Sequence, residues 1–142
     1  MKKVKHIIAA ASFLTAFISP SLLAAELVVV VDNIKDVQGS LYVSLYNKEA
    51  SFDSNENAVK REKVSVDKTT ITLNLGDLPA GEYAVKAYQD VNDNGKIDFT
   101  TMGPPSEPFG SSSKSKELAP SSYKDAKFTL DKNLQVQVHL LK

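Results

Sequence analysis

Apolar side chains recur at every second position through five short segments of this chain, and that spacing limits its fold more than any other feature. Leu41, Val43 and Leu45 alternate with Tyr42, Ser44 and Tyr46. The same period holds for Ile71, Leu73 and Leu75, for Tyr83, Val85 and Ala87, for Ala126, Phe128 and Leu130, and for Leu134, Val136, Val138 and Leu140. Successive side chains of a strand point to opposite faces, so a period of two describes strands with one face on a core. Leu27 to Val31 is a β-branched run closed by Asp32 and Asn33, which reads as a buried strand. Val64 and Val66 open a weaker one. The polar stretch from Asn47 to Arg61, anchored by Phe52 and Val59, leaves room for a helical turn around Asn57 to Lys63. No sustained helical period follows residue 25. Six or seven short strands with turn signals between them predict an all-β sandwich.

The first 25 residues belong to a different regime. Lys2, Lys3 and Lys5 precede an apolar run from Ile7 to Ile18, then Ser19-Pro20 and the small residues Ala24-Ala25. This order is that of a secretory signal peptide, and the run is short for a membrane span. The expected division is a signal peptide over 1–25 and one domain over 26–142, exported to the periplasm or secreted, with no stable membrane insertion of the mature chain. Removing 1–25 takes three of the 17 basic side chains and none of the 17 acidic ones, so the mature domain is mildly acidic. Such a surface disfavours nucleic acid and anionic lipid. Cysteine is absent, which excludes disulfides, thiol catalysis and Cys-based zinc sites.

Two segments around Glu82–Gln89 carry more information. Before it, Leu78-Pro79-Ala80-Gly81-Glu82-Tyr83 suggests a tyrosine corner, in which the hydroxyl bonds back to nearby backbone. After it comes Asp90-Val91-Asn92-Asp93-Asn94-Gly95-Lys96-Ile97-Asp98. Oxygen side chains stand at relative positions one, three, five and nine, with glycine at six. That spacing matches most of a calcium loop, because a hard cation gathers six to eight oxygens and the glycine allows the sharp turn. The expected ligands are Asp90, Asn92, Asn94 and Asp98 through side chains and Lys96 through its carbonyl, with Ile97 pinning the loop. Thr101 stands where an acid closes the motif, and Glu107 is the candidate to fold back in its place. On this reading, loss of Asp90 abolishes the calcium response and costs little in the metal-free protein. Asn94-Gly95 is also a hairpin-turn signal by itself, so a plain polar turn is the competing reading.

Met102 to Ser122, rich in Pro, Gly and Ser, reads as one long loop, mobile or functional. Catalytic patterns are sparse. Of the two histidines, His6 lies in the signal segment and His139 stands alone on the last strand. Ser111 to Lys114 and Ser121 to Lys124 fit Ser-x-x-Lys but lack the companion motifs of that enzyme class. Seventeen acids leave a carboxylate hydrolase near Asp90–Asp98 as one alternative, and a structural accessory protein without metal as the other.

Leu78 to Val85 followed by Asp90 to Asp98, then Gly103, Pro105, Glu107 and Gly110 in a Gly-x-Pro-x-Glu-x-x-Gly segment, resembles the bacterial domain-of-unknown-function family 2141. Ala126-Lys127-Phe128 fits its closing strand, so the resemblance runs over about 26–142. The chain departs from that family at Gln89, where a histidine is frequent, and at Ser111, where an aromatic is. The Leu-Pro-Ala-Gly-x-Tyr corner also looks like those of prealbumin-like and adhesin-stalk domains. The resemblance implies a single immunoglobulin-like or prealbumin-like β-sandwich of about seven antiparallel strands, and a fold without an assigned reaction. The resulting expectation is an exported non-catalytic module, stabilised by calcium, that binds an envelope protein or glycan.

Overall fold

The computed structural model describes residues 23–115 and 117–142. Most of the expected signal peptide over 1–25 therefore lies outside the described residues. Among the described residues eight strands form: β1 (Ala24–Asp32), β2 (Ser40–Tyr46), β3 (Lys60–Ser65), β4 (Ile71–Pro79), β5 (Gly81–Asp90), β6 (Phe109–Ser111), β7 (Phe128–Leu130) and β8 (Leu134–His139). They make two sheets. One has the order β4-β1-β8. The other has the order β3-β2-β5-β6, with β7 also on β5. The fold is all-β, as the period-two pattern requires. β1 begins at Ala24, two residues before the expected mature start, and pairs Ala24 with Pro79 and Ala25 with Leu78.

The alternating residues face each other between the sheets. Leu27, Val29 and Val31 meet Leu41, Val43 and Leu45, with Val85, Leu130 and Val138 among the buried neighbours. Each such side chain contributes about 1.5–3 kcal/mol by leaving water, which lets a cysteine-free domain rest on its core. Val28 and Val30 alternate out of that core and are half-buried, so β1 is buried on one face only.

Three expectations need correction. The strands are not all antiparallel: β1 and β8 pair in parallel, Leu27 beside Leu134 through Asp32 beside His139. The helical turn is not at Asn57–Lys63, where β3 runs, but at α1 (Glu49–Ser54), closed by Asn55 with φ 58°. Ala126 is not in a strand. It ends α2 (Tyr123–Ala126), which the Ser122 hydroxyl caps by accepting the Asp125 N–H. The two helices cover one end of the outer face of the larger sheet, enclosing Tyr46, Phe52, Ala84, Tyr123 and Ala126. Phe52 stands edge-on to Tyr46 and Tyr123 at 5.6 and 5.7 Å.

The corner forms as expected. The Tyr83 hydroxyl donates to the Pro79 carbonyl at 2.9 Å, and burial holds its phenol above the usual tyrosine value. Tyr83→Phe is expected to cost about 1 kcal/mol in urea denaturation, the net worth of one such bond, with no change in the β-type circular dichroism.

Candidate metal centre

β5 carries Asp90 to the edge of the core, where its carboxylate is fully buried. The cause is a close approach of backbone. Gly39, between β1 and β2, has φ +72° and lies so near that an added Cβ would sit 2.1 Å from the Asp90 carbonyl oxygen. Gln89 holds the same connection from the other side. Its Nε2 donates to the Asp36 and Gln38 carbonyls at 2.6 and 2.8 Å. Gln89 is therefore a buried clamp on the β1–β2 connection.

The loop then closes on its own donors. Asp90 Oδ1 and Oδ2 accept the N–H groups of Asn94 and Gly95 at 3.0 and 2.7 Å. Asn92 Oδ1 accepts from the Asn94 N–H at 3.2 Å, and Asn94 Oδ1 from the Lys96 N–H at 3.1 Å. Both amide nitrogens converge on one atom, Asp98 Oδ2, at 2.8 Å from Asn92 and 2.7 Å from Asn94. Those two bonds hold the Asp98 carboxyl below its ordinary range. Asp93, in the left-handed region with φ 55°, accepts the Ser40 hydroxyl at 2.6 Å and so ties the loop to β2. Lys96 is exposed, and Ile97 is half-buried, a looser anchor than expected.

Glu107 does fold back. Its carboxylate is 5 % exposed; one oxygen accepts the Val91 N–H at 2.8 Å and the other the Asp98 N–H at 2.9 Å. A small hairpin brings it there. Phe99 bridges Pro105, Thr100 N–H donates to Pro104 at 2.8 Å, and Gly103 turns with φ 109°. The Pro-Gly-Ser stretch is thus no single long loop, since β6 lies inside it and pairs Lys86–Tyr88 of β5. Gly110 ends the run where an added Cβ would meet the His139 carbonyl at 2.4 Å.

The Gly-x-Pro-x-Glu-x-x-Gly segment is accordingly a turn, a bridge, a carboxylate plug for the loop and a close approach between the sheets. Over residues 29–138 the chain matches DUF2141, described as an uncharacterized protein conserved in bacteria. The chain belongs to the DUF2141 family. No curated protein and no solved structure matches it. The DUF2141 assignment leaves the chemistry to the residues themselves. Every side chain expected as a ligand brings hard oxygen, the donor type calcium takes. Among the described residues, however, no three carboxylates or imidazoles converge as a metal-ligand group. Asp90 and Glu107 are turned onto backbone N–H groups, and the point of convergence is Asn92, Asn94 and Asp98. An amide carries its oxygen and nitrogen on one carbon, so a half-turn of each Asn would present oxygen where nitrogen now meets Asp98. The donor set fits a hard cation on the condition that those half-turns also release the Asn94 and Lys96 N–H groups from the amide oxygens.

Among the polar contacts that no local pattern announces are those of Ser40 and His139. Ser40 had no signal toward Asp93. His139 is not isolated: its Nδ1 lies 2.6 Å from Asp32 Oδ1, and Gln137 meets the other oxygen. Facing ends of β1 and β8 put them together, and only the parallel pairing reveals it.

Proposed function

We propose that this DUF2141 chain is an exported, non-catalytic sandwich module of immunoglobulin or prealbumin type, whose Asp90–Asp98 loop takes up calcium and which binds an envelope partner. The observation that carries the calcium reading is the meeting of Asn92, Asn94 and Asp98 at one atom, in a loop where Asp90, Asp93 and Asp98, with Glu107 against them, outnumber Lys96 and the neighbouring Lys63. A cation there replaces the two N–H···O bonds to Asp98 with oxygen ligation, releases the Asn94 and Lys96 N–H groups that the same amide oxygens now accept, and offsets the surplus negative charge. Asp90 and Glu107 have oxygens already engaged by backbone donors, which favours a structural role over proton transfer. Asp90 and Glu107 therefore act by shaping the loop.

Weak affinity is expected, with a dissociation constant of about 10⁻⁴–10⁻³ M, as in extracellular modules. At a hundredfold excess of calcium over that constant the protein should gain about 2.7 kcal/mol, seen as a rise in melting temperature. Magnesium should raise it less, because it dehydrates reluctantly and demands a stricter octahedron. A melting curve indifferent to calcium and to chelator, with no heat of binding, returns the loop to a polar turn.

Export is tested by mass. Protein from an envelope fraction should begin near Glu26. Intact Met1–Lys142 in the cytoplasm would refute it. Among the described residues no helix is long and apolar enough to cross a membrane.

A further inference from the structure

Among the described residues the two sheets end on β3, β4 and β8 and on the three-residue strands β6 and β7 beside β5, and of the three longer edge strands β3 and β4 are guarded. β3 presents Lys60, Arg61, Glu62 and Lys63 in succession. β4 carries Gly76 at φ +79°, Asp77 and Pro79, and the Lys60 ammonium caps its Leu75 carbonyl at 2.9 Å. Charge, irregularity and proline are the usual means of stopping an edge from recruiting another strand. β8 has none of them. Leu-Gln-Val-Gln-Val-His is uncharged apart from a titratable histidine, alternates strictly and contains no proline. It pairs with β1 along one edge. On the other edge the described residues give this stretch one neighbouring bridge, Leu141 with Phe109, where two backbone bonds of 2.9 and 3.0 Å pinch the sheets together.

Beside that free edge runs a groove of about 910 Å³. Leu134, Val136 and Phe128, all half-buried, give it apolar walls, and Ser113 and Pro120 stand among its other lining residues. Its charges balance, with Arg61, Lys86 and Lys114 against Asp32, Glu117 and Asp125. We infer that the β8 edge accepts an extended, uncharged segment of a partner protein, apolar at alternate positions, which adds as a strand and covers Leu134 and Val136. Backbone pairing along the edge supplies affinity and the alternate apolar side chains supply specificity. A chain laid along that edge would end at the Phe109–Leu141 bridge and run past Ser113, Ser115 and Pro120, which line the same groove. At ~3.3 Å per residue, Leu134–Val138 pairs a segment of about five residues. This rests on the reading of the protein as a non-catalytic binding module, and calcium does not enter it.

The test uses the mature protein and a synthetic acetylated peptide alternating threonine and valine over seven residues, with a soluble lysine tail. Amide hydrogen exchange should slow at alternate residues of Leu134–Val138 when the peptide binds. N-methylating the peptide at every second residue should weaken binding at least about tenfold in one register and little in the other, because only one set of N–H groups faces the edge. Val136→Lys should abolish binding; if it fails to fold, the exposed pair Gln135→Lys and Gln137→Lys serves instead, with an unchanged melting curve as control. Unslowed exchange, or binding indifferent to N-methylation, overturns the inference. So does a concentration-dependent dimer that protects the same amides without peptide, or protection by maltohexaose alone. Cleavage of the peptide would instead overturn the non-catalytic reading, and running every arm with calcium and with chelator separates this result from the metal.

Discussion

Gly39→Ala is expected to lower stability in denaturant by about 3 kcal/mol or more, one of the largest single-site effects in the protein. Two causes act together. The backbone stands at φ +72°, which costs a non-glycine residue about 1–2 kcal/mol. The new Cβ would also lie 2.1 Å from the Asp90 carbonyl oxygen and 2.9 Å from the Val91 Cα, both backbone atoms that no rotamer change can move. Gly95→Ala separates the two causes. It has φ +83° with nothing within 4 Å of the added carbon, so it should cost only the conformational part. Equal losses in the two variants would show that the β1–β2 connection yields and that Gly39 does not seat Asp90.

Asp90→Ala should cost about 1–3 kcal/mol even without calcium, because it removes a fully buried carboxylate that accepts the N–H groups of Asn94 and Gly95. As a metal ligand alone, this aspartate would cost little to remove from the metal-free protein. The loss is read from urea midpoints in chelator. A loss below about 0.5 kcal/mol, the range of ordinary surface changes, would mean that the loop is not held by this carboxylate. The calcium response is then measured on the variant at a temperature where it remains folded.

The distribution of what was readable follows the range of each interaction. Alternation located β2, β4, β5 and β8 because one-face burial repeats within a few residues. The tyrosine corner was equally legible, since Tyr83 and Pro79 are four positions apart. Glu107 was anticipated because the motif lacked an acid, although its partners proved to be N–H groups of Val91 and Asp98. α1 escaped because six residues with only Phe52 buried show no helical period. β6 escaped because three residues between proline and serine carry no alternation to detect. The parallel β1–β8 pair, the Gly39 contact with Asp90 and the Asp32–His139 pair each join residues more than fifty positions apart. No local pattern encodes such a meeting. The loop chemistry was read correctly as oxygen-rich and incompletely as to what those oxygens touch.

The parallel pair also sets an order of events. β1 is the central strand of its sheet, and one of its two neighbours, β8, is more than a hundred residues further along the chain. Until Leu134–His139 has emerged, Leu27, Val29 and Val31 lack the side of their sheet that Val136 and Val138 provide. Contacts of such sequence separation close late and slowly. A chain threading through a membrane pore in extended form would therefore stay unlocked for nearly its whole passage, and it would complete its fold only once its last strand had cleared the pore.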